Sequence, residues 1–115
     1  MTDRELLELS AKAAKLEFDP TAKTAHGLMV VRDGAVCQSD QVLWNPLTDD
    51  RDALRLAVKL KMNVDICDSC AEVAIFVNDG CGVTTVECYN GDNDPYAATR
   101  RAIVRAAAEI GKDMP

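Results

Sequence analysis

The 115 residues are enough for one domain around a single core. Apolar residues make up 48% and aromatics only 4%, so the chain is expected to fold on a core of Ala, Val, Leu and Ile. A net charge of -6 argues against non-specific binding to DNA, RNA or anionic lipid, which needs clustered Lys and Arg.

The start, Met1-Thr2-Asp3-Arg4-Glu5, is charged with no apolar run behind it, so no signal peptide is expected. No segment approaches the roughly 20 apolar residues of a membrane span. The expected location is the cytoplasm of a host cell. Thr2 and Glu5 have capping-box spacing, and Leu6, Leu9, Ala13 and Leu16 follow at helical spacing. These predict a helix from Asp3 to Leu16, ended by Asp19-Pro20. A loop follows to His26, the only His and so the only candidate for imidazole chemistry; its plainer reading is a solvated loop residue.

Leu28 to Val31 reads as a strand, Arg32-Asp33-Gly34-Ala35 as a hairpin turn, and Val36 and Cys37 as the return. Residues 38 to 43 then lead into Trp44-Asn45-Pro46-Leu47-Thr48-Asp49-Asp50. Pro46 biases Asn45 away from helix, and Thr48 or Asp49 can cap the helix that follows. Asp49, Asp50 and Asp52 place negative charge at its positive end. Trp44 and Leu47 are expected to pack under that helix start. The helix should run from Asp49 to Lys61 with Ala53, Leu56, Ala57 and Leu60 as its stripe. Leu54 and Val58 widen the stripe and predict burial on more than one side. Arg51, Arg55 and Lys59 recur on the opposite face, as a solvated face would.

Val64-Asp65-Ile66 reads as a short strand and Glu72 to Val77 as a stronger one. In the latter, Val73, Ile75 and Val77 alternate with Ala74 and Phe76, so cover is expected on both faces. Asn78-Asp79-Gly80 is a hairpin turn, and Gly82 to Tyr89 returns with Val86 and Cys88 on one face and Val83 and Thr85 on the other. Asp94 caps the last helix, with Pro95 at its first position. Its predicted buried stripe is Thr99, Ala102, Ile103, Ala106 and Ile110. Arg101, Arg105 and Glu109 are expected outside, with Arg105 and Glu109 paired, and Gly111 as terminator. The expected class is α+β in the order α-β-β-α-β-β-α, with a mostly antiparallel sheet packed between helices, an α/β/α sandwich.

Trp44 to Leu60 and Ala97 to Gly111, with the Met1-Thr2-Asp3 start, resemble the phage alpha-beta-alpha sandwich domain family of small phage and prophage proteins. The two blocks cover under a third of the chain, and Met62 to Asn93 carries no matching motif. The resemblance implies a sandwich fold and a phage or prophage origin. It implies no activity, and no catalytic residue carries over.

Cys67-Asp68-Ser69-Cys70 is the sharpest local motif, since a tight turn can aim two thiolates at one metal. Cys81 and Cys88 could complete a four-ligand site, but they are not paired in a second knuckle, and Cys88 is predicted inside a strand. A redox Cys-x-x-Cys usually sits between strand and helix, whereas here a strand follows. With five cysteines, an odd count, reduced thiols are the expected state, with no metal and no cofactor. There is no phosphate loop, nucleophile elbow or carboxylate pair of demonstrable geometry, so an enzyme is the least supported class. The leading expectation is a small accessory module that binds a host or phage protein, with a homodimer as another arrangement. The alternative is a zinc- or thiol-based regulator built on Cys67 and Cys70.

Overall fold

Helix α1 begins where Thr2 Oγ1 accepts the Glu5 N–H at 3.2 Å and runs over Asp3–Ala13. The structure, a computed structural model, describes residues 2–18, 27–31, 41–76, 82–89 and 94–114. The helix stops three residues short of the predicted Leu16; Asp19 and Pro20 lie outside the described residues. Lys15 turns into the left-handed region at φ 59°. The Lys15 N–H then bonds Lys12 O at 3.0 Å and the Leu16 N–H bonds Ala11 O at 2.9 Å, which satisfies the last carbonyls.

Helix α2, Asp50–Lys59, ends the same way. Lys61 has φ 54°, its N–H bonds Val58 O at 3.1 Å, and the Met62 N–H bonds Ala57 O at 2.9 Å. Lysine at both positions carries a Cβ where glycine would carry none. Lys15→Gly and Lys61→Gly are each expected to raise stability by about 0.5–1 kcal/mol. Urea midpoints measure this; an unchanged or lower midpoint for both contradicts it.

The turn before α2 is built as the residue types indicate. Asn45 Oδ1 accepts the Leu47 N–H at 3.0 Å, and Asn45 O accepts the Asp49 N–H at 2.9 Å. Asp49 is the cap, with Oδ1 taking the N–H of Arg51 at 2.8 Å. The Asn45 N–H donates to Asp52 Oδ2 at 3.0 Å and ties the turn to the helix. Trp44 and Pro46 are buried and Leu47 half-buried.

Strand β1, Leu28–Val31, pairs antiparallel with β2, Gln41–Trp44, with Leu28 opposite Trp44. Residues 41 to 43, expected as a lead-in, are therefore strand. Long-range pairing, which a four-residue stretch does not announce, makes them so. The predicted turn at Asp33-Gly34 and return at Val36 and Cys37 lie outside the described residues. Gly27 enters β1 at φ 139°, where a Cβ would fall 2.8 Å from Asn45 Cβ.

The second sheet has order β3-β4-β5: Asn63–Ile66, Cys70–Phe76 and Gly82–Cys88, both pairs antiparallel. The central strand starts two residues before the predicted Glu72. Val77 and the Asn78-Asp79-Gly80 turn lie outside the described residues. Helix α3, Pro95–Lys112, crosses one face of this sheet over the buried Ala71, Val73 and Ile75. Buried Thr85 donates Oγ1 to Ala102 O at 2.7 Å and pins β5 to α3. On the other face Ala74 is buried, but Glu72, Thr84, Val86 and Cys88 are exposed.

Helix α1 packs against α3, and α2 also touches α3 and shares a cleft with Val64 and Ile66 of β3. The fold is thus α+β in the expected order, with three helices, two small antiparallel sheets and the three-stranded sheet set among the helices. Among the described residues no helix is long and apolar enough to cross a membrane.

Two expectations for α3 fail. The helix continues through Gly111 to Lys112 and is capped at Asp113. A Cβ on Gly111 would lie 2.8 Å from the carbonyl carbon of Leu9, so this glycine serves the α1–α3 contact. Arg105 pairs with Glu87 at 2.8 Å rather than with Glu109, which instead meets Lys112 at 3.2 Å. The outer face proposed for Arg101 and Arg105 is therefore a junction with β5 and α1, since Arg101 also bonds Asp3 Oδ1 at 3.2 Å.

Candidate functional site

Two surfaces carry unexplained features. The first is the outer side of α2. Its stripe of Ala53, Leu56, Ala57 and Leu60 faces inward as predicted, but Leu54 and Val58 do not widen it: they are 65% and 68% exposed. The inner stripe alone fills the space against α3 and the core, which leaves these two, one turn apart, on the surface. Arg51, Arg55 and Lys59 are exposed beside them.

A groove of about 560 Å³ lies on one side of this ridge, lined by Leu54, Val58, Val42 and Trp44 among others. A second cleft of about 470 Å³ is lined by Leu54, Ile66 and Tyr96 among others. Ile66 and Tyr96 are themselves 62% and 70% exposed. Asp52 sits in the first groove. Burial pushes its carboxyl above the usual range, while the bond from the Asn45 N–H pulls the other way.

Arg100 braces this region and was not singled out by the sequence. Its Nε donates to Leu47 O at 2.9 Å and its guanidinium reaches Asp50 Oδ1 at 2.5 Å, with the side chain only 16% exposed. Nothing local distinguishes it from Arg101, because its partners lie about fifty residues away in the chain.

The second surface holds the cysteines. Cys67-Asp68-Ser69-Cys70 is the connection from β3 to β4, closed by the Cys67 N–H on Cys70 O at 2.8 Å. Cys88 lies directly opposite Cys70 on β5. Side chains of facing strand residues share a face, so Cys67, Cys70 and Cys88 form one row across the sheet. The next row on that face is Asp65, Glu72 and Val86. The Asp65 carboxylate, then loss of hydration and the Cys70 and Glu72 groups, push the Cys67 thiol above its usual range. Cys67 and Cys88 are exposed and Cys70 is half-buried.

Cys81, the remaining member of the predicted four-cysteine set, and His26 lie outside the described residues. Among the described residues no group of three or more His, Cys, Asp or Glu side chains is arranged to hold a metal. Comparison with known proteins found no matching family model, no matching curated protein and no matching solved structure.

Proposed function

We propose that this is a protein-binding accessory module of phage or prophage type, acting in the host cytoplasm, that docks a host or phage protein on the outer face of α2. The observation that carries this reading is the ridge of Leu54 and Val58. Two large aliphatic side chains one turn apart and about two-thirds exposed, with a largely apolar groove along both and a second cleft beside Leu54, form a patch suited to a partner. The basic row of Arg51, Arg55 and Lys59 along that ridge selects a partner with an apolar strip edged by carboxylates.

A second copy of the chain fits this face poorly. Two α2 helices laid antiparallel would set Arg51 against Lys59 and Arg55 against Arg55, which repel. Nucleic acid is also disfavoured as the ligand. Arg101 and Arg105 are engaged by Asp3 and Glu87, so the basic groups left on α2 are few for a phosphate-tracking surface under a net charge of -6. We assign the protein no catalytic role and no cofactor.

The test is capture from a bacterial lysate by immobilised wild type and by Leu54→Glu with Val58→Glu, a pair of exposed changes that leaves the inner stripe intact. The expected result is a discrete set of proteins held by wild type, lost with the double variant and unaffected by nuclease. Equal capture by both, or capture abolished by nuclease, overturns the reading. The alternative is a zinc- or thiol-based regulator built on Cys67 and Cys70, whose support is the cysteine row at the β3–β4 turn.

A further inference from the structure

We propose that Cys70 and Cys88 form a cross-strand redox pair that small disulfides such as glutathione disulfide convert to an intramolecular disulfide. This is independent of the α2 docking surface. Cys70 and Cys88 are direct partners in the β4–β5 ladder. The next pair outward, Ser69 and Tyr89, is hydrogen-bonded, with the Tyr89 N–H on Ser69 O at 2.9 Å. Antiparallel pairs alternate, so Cys70 and Cys88 occupy a non-hydrogen-bonded pair. At such a pair the Cα atoms are about 4.5 Å apart and the side chains approach most closely, within the range a disulfide spans.

The pair that the sequence motif suggests is the competitor, since the Cys67 and Cys70 thiols are themselves in hydrogen-bond contact across the β3–β4 turn. Cys67 and Cys70 close the β3–β4 turn as a backbone-hydrogen-bonded pair, a class of position whose Cα atoms are about 5.5 Å apart against about 4.5 Å at a non-hydrogen-bonded pair. Among described non-glycine residues, only Lys15 and Lys61 have positive φ, so Asp68 and Ser69 do not make a primed turn. An unprimed two-residue turn splays the strand ends it joins.

The chemistry balances with glutathione disulfide as oxidant. The thiolate of exposed Cys88 attacks one glutathione sulfur; the S–S bond of glutathione disulfide breaks, and one glutathione thiolate leaves. The Cys70 thiolate then attacks the Cys88 sulfur of the mixed disulfide and expels the second. Two cysteines lose two protons and two electrons, and two glutathione molecules gain them. The product closes β4 to β5 at the end of the ladder beside the Cys67–Cys70 turn.

The experiment uses the full reduced chain in glutathione buffers of increasing oxidised fraction, quenched with an alkylating agent and mapped by non-reducing peptide mass analysis. The expected product is a single Cys70–Cys88 disulfide, with Cys37, Cys67 and Cys81 alkylated. Cys67→Ser should form it and Cys70→Ser should not, each variant being checked for its native circular dichroism. In urea, where the register is gone, the sequence-adjacent Cys67–Cys70 pair should replace it. A native product linking Cys67 to Cys70, one linking Cys37 or Cys81, a stable glutathione adduct alone, or no oxidation overturns the proposal.

Discussion

Trp44→Ala is expected to lower stability by about 3–5 kcal/mol, the range seen when a large aromatic is removed from a core. Trp44 is 7% exposed and lies opposite the fully buried Leu28 across the β1–β2 ladder. The chain then turns through buried Pro46 into α2, so the ring also supports the helix start. Its removal leaves a void between one sheet and one helix, which cannot both move inward without breaking the bonds of Asn45. Urea denaturation measures the loss. As the only Trp, residue 44 also reports on itself: native emission should be blue-shifted and move red on unfolding. A midpoint close to wild type, with emission already red in the native state, would place Trp44 on the surface.

Gly111→Ala is expected to destabilise by about 1–3 kcal/mol, although alanine is the better helix former by about 1 kcal/mol in a helix interior. The sign reverses because the added methyl meets backbone. The nearest atoms are Leu9 O and, at 2.8 Å, Leu9 C, and backbone cannot rotate aside as a side chain can. Relief requires α1 to back away from α3 along a contact that buries Leu6, Ser10 and Ala11 on one helix and Ala107 and Ala108 on the other. Thermal denaturation of Gly111→Ala beside Gly111→Ser tests this: both should melt lower, the larger side chain no higher than the smaller. A raised midpoint for Gly111→Ala would mean that the two helices stand farther apart than the structure places them.

Rules acting within about one turn of chain carried the sequence reading furthest. Thr2, Asp49 and Asp94 cap their helices because a short oxygen-bearing side chain can reach the next N–H groups, whatever surrounds it. The inward stripe of α2 and the alternation along β4 follow from helical and strand periods in the same way. Helix ends were less legible. Lysine is not a residue that signals a left-handed stop, yet Lys15 and Lys61 take that conformation because the carbonyls before them find their N–H partners there.

The roles that the sequence left open belong to residues whose function depends on a distant partner. Gly111 carries one signal, a missing Cβ, that fits both a helix terminator and a close crossing; Leu9, about a hundred residues away, settles which. Leu54 and Val58 have the same hydropathy whether they widen a buried stripe or crown an exposed ridge, and the position of α3 leaves them outside. Arg105 stood within reach of Glu109 by spacing and took Glu87 by fold. The cysteines follow the same logic. Spacing joins Cys67 to Cys70 because they are near in the chain, whereas the β4–β5 ladder sets Cys88 opposite Cys70. Strand register is a property of two segments together and is not written in either one alone.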